Sequence, residues 1–166
     1  MITREQLIES MRHETKVIKH LATKLPPGKL DWRPTPKQRS TLELMQYLTT
    51  CGSIGVKMIV NGNWDHTDAL EAAAAKVTPQ NFAAAMDAQM ADLEKEIRGV
   101  AEHDFFEKGA SMPWGAPTKV GIGLVDCGLK PLVAYRMQFF LYAKESGNAD
   151  IGPAECWVGV SPPKAS

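Results

Sequence analysis

The stretch from Val120 to Ala143 constrains this chain more than any other, because it is apolar almost all the way round a helix. Ile122, Val125, Leu129, Val133 and Phe140 fall on one side, and Val120, Leu124, Cys127, Tyr135 and Tyr142 on the other. Such a helix must be covered on both faces. Asp126, Lys130, Pro131 and Arg136 interrupt it. Four such residues are too costly in lipid, so the expectation is a buried helix and not a membrane span. It should run from about residue 119 to 146, capped by Thr118 and stopped by Gly147. A kink is expected near Pro131, which lacks an amide and crowds the preceding turn. In a bundle of four, partner helices cover one side only. A second copy of the chain would cover the other, so a homodimer is the expected assembly.

Three further amphipathic segments complete an all-α, four-helix bundle with long connections. The first, about 3–25, is capped by Thr3 and carries Leu7, Met11, Ile18, Leu21 and Leu25 on one stripe. Pro26, Pro27 and Gly28 stop it. The connector LDWRPTPKQR is too rich in proline for helix or central strand. Ser40 or Thr41 then caps the second helix, about 41–61, with Leu44, Leu48, Cys51, Gly55 and Met58 in line and Tyr47 and Ile54 beside them. Asn61-Gly62 ends it, and residues 63–77 read as a loop or short helix. Thr78-Pro79 starts the third, about 79–101, which turns Phe82, Met86, Gln89, Leu93, Ile97 and Val100 inward and its acidic residues to solvent. HDFFEKGASMPWGAPT reads as a loop, and residues 148–166, ending SPPKAS, as an extended tail frayed at its end.

One domain of 166 residues is enough for a single core. Equal numbers of acidic and basic residues and a pI near 6.9 offer no attraction to nucleic acid or an anionic membrane. The opening MITREQLIES lacks the basic-then-apolar layout of a signal peptide. Cys51, Cys127 and Cys156 form neither a metal pattern nor a disulfide framework, which points to reduced thiols in the cytoplasm.

LPPGKLDWRPTPKQRSTLELMQYL, the WG-x-P-T before the last helix and the closing RMQFFLYAKESG come in an order that resembles the DinB-like family of helical bundles. The likeness runs from Leu7 to about Pro153. It implies an all-α bundle, commonly dimeric, with a divalent metal held by three histidines. One lies two turns into the second helix and two lie four apart on the fourth, before R-x-Q, where four-residue spacing puts both imidazoles on one face. Some relatives are thiol-dependent transferases or isomerases that use the metal. The corresponding positions here are Tyr47, Pro131 and Tyr135. A phenol is a poor zinc or nickel ligand at neutral pH, and a proline side chain is none. The expectation is therefore no metal and no cofactor.

The four histidines do not rebuild such a site. His13 and His20 share an outer face of the first helix and read as solvated, His66 sits in a loop, and His103 reads as a residue of a helix's last turn. Glu14 lies between Met11 and Ile18 on the inner stripe and needs partners, for which Arg136, Tyr47 and Tyr135 are candidates. Together with Cys51, one turn after Tyr47, and Pro131 they define a candidate ligand pocket at the family's metal position. The bland reading of these groups is a structural hydrogen-bond network. The functional one is a small-molecule-binding or interaction module, and its alternative is a metal- or thiol-dependent transferase or isomerase with a remodelled site. Cys51 and Cys127 read first as packing residues, and the methionines as gap-fillers. No catalytic residue is identifiable.

Overall fold

A computed structural model describes residues 2–163. Four rods pack in a ring around one core: α1 (Arg4–Ala22) against α5 (Phe82–Gly99), α5 against the second rod, the second against the fourth, and the fourth back against α1. Thr3 begins α1 with a capping box shared with Gln6, and Ser40 begins the second rod with one shared with Glu43. Among the described residues no helix is long and apolar enough to cross a membrane.

The second rod is two helices where the sequence predicts one: α2 (Thr41–Leu48) and α3 (Cys51–Asn61), broken at Thr49–Thr50. Their hydroxyls turn back onto the carbonyls of Gln46 and Tyr47, at 2.7 and 3.2 Å, the competition with helix that threonine offers. No local side chain caps α3. Gln89, the one polar member of the third helix's inner stripe, splices the break from across the core. Its amide donates to the Leu48 carbonyl at 2.8 Å, and its carbonyl accepts from Gly52 and Ser53 N–H at 3.1 and 3.4 Å. The last carbonyl of α2 and the first amides of α3 are thus satisfied by one buried residue.

The fourth rod comprises α7 (Val120–Leu124), a π turn (Val125–Leu129) and α8 (Lys130–Glu145). An α-helix would have residue 131 donate to the carbonyl four residues back, that of Cys127, and Pro131 has no amide to give. The rod widens here, and the Lys130 amide reaches the Val125 carbonyl instead. The expected kink takes the form of this wide turn. The Cys127 carbonyl is turned onto Gly55 of α3, where a Cβ would stand 1.8 Å from its oxygen.

Of the two readings of residues 63–77, the short helix is present, as α4 (Thr67–Ala74). Elsewhere expectations change: α5 begins three residues after Pro79 because the Asn81 side chain takes the Thr78 amide at 2.7 Å and holds a turn. The expected loop after α5 forms α6 (Glu102–Glu107) and an antiparallel hairpin, β1 (Gly109–Ser111) with β2 (Pro117–Lys119), pairing Ala110 with Thr118. The acidic residues of α5 are not simply solvated. Lys57 of α3 reaches Asp92 at 2.9 Å and Glu96 at 2.6 Å, and Arg12 of α1 bridges to Glu94.

The tail is the largest correction. In place of an extended segment, Ala154–Val158 form a helical turn against α1 and α8. Arg136 donates to the Cys156 carbonyl at 2.6 Å, a ring nitrogen of His13 meets the Trp157 carbonyl at 2.7 Å, and Lys24 reaches Ser161 at 2.5 Å. Gly159, at φ 69°, passes so near the Val17 backbone that a Cβ would lie 3.2 Å from its Cα. The Glu155 carboxylate accepts from the Gly152 amide at 2.9 Å, and tertiary contacts hold the rest, so no periodicity announces the turn. The frayed end expected at residues 164–166 lies outside the described residues.

Replacing Gln89 with leucine should cost about 2–4 kcal/mol, because three buried backbone groups lose their partner. Urea denaturation measures this, and a loss below about 0.5 kcal/mol would show that the break does not depend on the splice.

Candidate functional site

Two of the three positions that the family likeness links to metal binding do meet. Tyr47 of α2 and Tyr135 of α8 pack edge to face, with ring centroids 4.7 Å apart and planes at 76°. Both are half-buried. Burial, then the proximity of Tyr135, holds the Tyr47 phenol above its ordinary 10.0. Pro131, also half-buried, lies in the first turn of α8.

A residue that sequence reading missed completes this cluster. The guanidinium of Arg39 stands 3.9 Å above the Tyr47 ring and 6.0 Å from that of Tyr135, within cation–π range. The proline-rich connector delivers it. Trp32 packs edge-on against Tyr142 at 5.1 Å, and the Tyr142 hydroxyl donates to the Arg39 carbonyl at 2.9 Å. Arg39 is exposed, and the nearby carboxylate of Glu43 is taken up by Arg33 and by the Ser40 amide. Only its place before the Ser40 cap could have pointed to it.

Cys51 is buried below Tyr47, its thiol directed at the Leu48 carbonyl, 3.9 Å away. Burial pushes that thiol from its ordinary 9.0 up to about 12, so almost no thiolate is present at neutral pH. Cys127 and Cys156 are also buried, and burial raises both thiols.

Glu14 and Arg136 do not join the tyrosines. They form a separate buried pair, Oε2 to Nε at 2.8 Å, with Arg136 only 1% exposed. The N–H does not lie along that line, so the two atoms make a close ion pair without a well-formed hydrogen bond. Burial pushes the Glu14 carboxyl up, against the pull of Arg136 and, less, of His13. The tail covers the pair: beyond its bond to Cys156, the Arg136 guanidinium lies 4.6 Å from the Trp157 ring. Leaving either charge alone here would cost about 3–5 kcal/mol, which gives the pair a structural role.

The histidines differ from expectation in part. His13 is exposed as expected, although one ring nitrogen meets the Trp157 carbonyl of the tail. His20 is half-buried, and burial lowers its pKa against the opposing influence of Glu155. His66 meets the Ile54 carbonyl at 3.1 Å. His103 lies in the first turn of α6, not in the last turn of the third rod. Among the described residues, no three His, Cys, Asp or Glu side chains cluster as a metal site would require.

No family model matches this sequence, and no curated protein sequence does. Solved structures match it throughout. A putative member of the DinB family from Exiguobacterium sibiricum superposes with a TM-score of 0.68 at 17% identity, covering 92% of this chain and 96% of that one. The chain has the DinB-like fold. A DinB-like protein from Bacillus subtilis superposes with a TM-score of 0.66 at 15% identity, covering 89% and 95%.

With Cys127 and Cys156 replaced by alanine, Cys51 should react with an aromatic disulfide at pH 8 roughly a thousandfold more slowly in the native protein than in urea. Comparable rates would reveal an accessible, activated thiol.

Proposed function

We propose that this chain is a DinB-like binding and interaction module that works without a metal ion, as a cytoplasmic homodimer. The observation that carries this is the arrangement of Tyr47, Tyr135 and Arg39. Taking Tyr47, Pro131 and Tyr135 as the family's ligand positions, the donor set does not fit a divalent cation. The phenol stays protonated, proline offers no donor, and the nearest charge is a guanidinium. A divalent ion about 5 Å from that guanidinium would be repelled by several kcal/mol, on the order of 7 at an effective dielectric of 20. No reaction step is therefore routed through a metal. Cys51, protonated and buried, gives no support to a thiol-dependent reaction. What the three residues offer is a half-exposed aromatic and cationic surface suited to a small amphipathic ligand or a docking segment.

Support for the dimer comes from the fourth rod. Its inner side is largely buried: Val120, Leu124, Cys127 and Tyr142. Its other side is covered only in part. Ile122 is 58% exposed, Leu141 is 44% exposed, and Val125, Leu129, Val133 and Phe140 are half-buried. From Ile122 to Phe140 this face runs about 27 Å at the helical rise, a length that a second copy can cover.

Native mass spectrometry of untagged protein, purified without chelator, tests both parts. The expected species has twice the 18.2 kDa chain mass and no metal increment. Near-stoichiometric zinc or nickel contradicts the metal-independent reading, and a monomer at micromolar concentration contradicts the dimer.

A further inference from the structure

A second site lies away from the tyrosines, under α4. A cavity of about 200 Å³ opens between the α2–α3 break, α4 and α5. A dry engineered cavity of ~150 Å³ holds benzene, so this one has room for a molecule of about six to eight heavy atoms. Its walls are apolar, from Leu70 and the alanines of α4 and α5. Its floor is polar: Thr49, Thr50, Ser53 and Gln89, all more than nine-tenths buried, together with Asp92.

The donors of this floor are already committed. Thr49 and Thr50 donate to the Gln46 and Tyr47 carbonyls, Ser53 donates to Asp92 at 2.8 Å, and the Gln89 amide donates to the Leu48 carbonyl and approaches the Met86 sulfur. What the hydroxyls and the carboxylate keep is acceptor capacity. Charge points the same way. Lys57 is shared between Asp92 and Glu96, so two carboxylates face one ammonium. A ligand here must bring hydrogen-bond donors and gains from a positive charge.

The cover is suited to admit it. Of α4, only Ala74 is buried. Its two ends are tied down, by His66 to the Ile54 carbonyl and by Gln46 to the carbonyls of Ala75 and Val77, while its middle spans the cavity.

We propose that the cavity beneath α4 binds a small primary amine, its ammonium on Asp92, Ser53 and the break threonines and its short hydrocarbon body against Leu70 and the alanines. This gives a ligand class to the binding reading above but at a different site. Metal content and assembly mass bear on that reading alone, and the titration that follows bears on this cavity alone.

The probe is isopentylamine hydrochloride, titrated into the full chain and followed by amide ¹H–¹⁵N shifts, with isopentanol and isovalerate as uncharged and anionic analogues. Saturable shifts centred on α4 and Ala88 are expected, with the amine binding at least tenfold more tightly than either analogue. Ala88→Leu, at a position exposed to solvent and tolerant of a larger side chain, should fill the cavity and abolish the response without lowering the melting temperature. Asp92→Asn should weaken the amine tenfold and leave isopentanol unchanged. No saturable response to 20 mM amine overturns the proposal, as does equal binding of the three probes or a response that survives Ala88→Leu.

Discussion

The carbonyl oxygen of Cys127 occupies the place where a side chain on residue 55 would begin, and only glycine lets the second and fourth rods come so close. Two sequence facts combine to make that contact. Pro131 cannot supply the amide that would hold the carbonyl inside an α-helical ladder, so the rod opens into a π turn. Gly55 then gives the displaced carbonyl a place to go. Close backbone approach also brings the Val56 side chain against Gly128 of the wide turn and that of Ile59 against Gly123 of α7. Interiors packed at crystal-like density tolerate no shift of that size without loss elsewhere.

This contact sets the depth at which the second rod sits, and the rod's own break sets its direction. With α3 seated on the π turn, the break at Thr49–Thr50 re-aims α2 so that Tyr47 meets Tyr135 across the fourth rod. Gln89 makes the break tolerable by serving both of its exposed ends. On another face of α8, the tail turn covers Arg136 and Glu14. Adjacent residues of one helix, Tyr135 and Arg136, thus serve two separate clusters, one half-open and aromatic, the other buried and ionic.

Much of the bundle was legible beforehand. Thr3 and Ser40 announce their helices by capping boxes, Pro26 to Gly28 stop the first, and the stripes through Leu7, Met11 and Ile18 or Met86, Leu93 and Ile97 are core. Glu14 within such a stripe called for a partner, with Arg136, Tyr47 and Tyr135 as candidates, and it is Arg136 that it meets. The rest depends on contacts distant in sequence. Gln89 was visible as a polar residue on an apolar face, but its partners lie some forty residues away across a break that continuous periodicity conceals. Arg39 belongs to a connector whose path is fixed by Trp32 and Tyr142. The tail turn has no stripe of its own, and two residues of its docking face on α1, His13 and His20, read in isolation as solvated. The pocket expected to unite Glu14, Arg136, Cys51 and the tyrosines assumed that neighbours on α8 share a face, whereas successive helical residues point about 100° apart.

If the rods are spaced by the Cys127 carbonyl, then Gly55 and Pro131 must be energetically coupled. A double-mutant cycle with Gly55→Ala and Pro131→Ala, read by urea denaturation, measures that coupling. With alanine at 131, the recovered amide can draw the Cys127 carbonyl back into an α-helical ladder and make room at position 55. Gly55→Ala should therefore cost at least about 1 kcal/mol less in the Pro131→Ala background than in the parent. Losses that add to within about 0.5 kcal/mol would contradict the account, because the two residues would then act on independent parts of the fold.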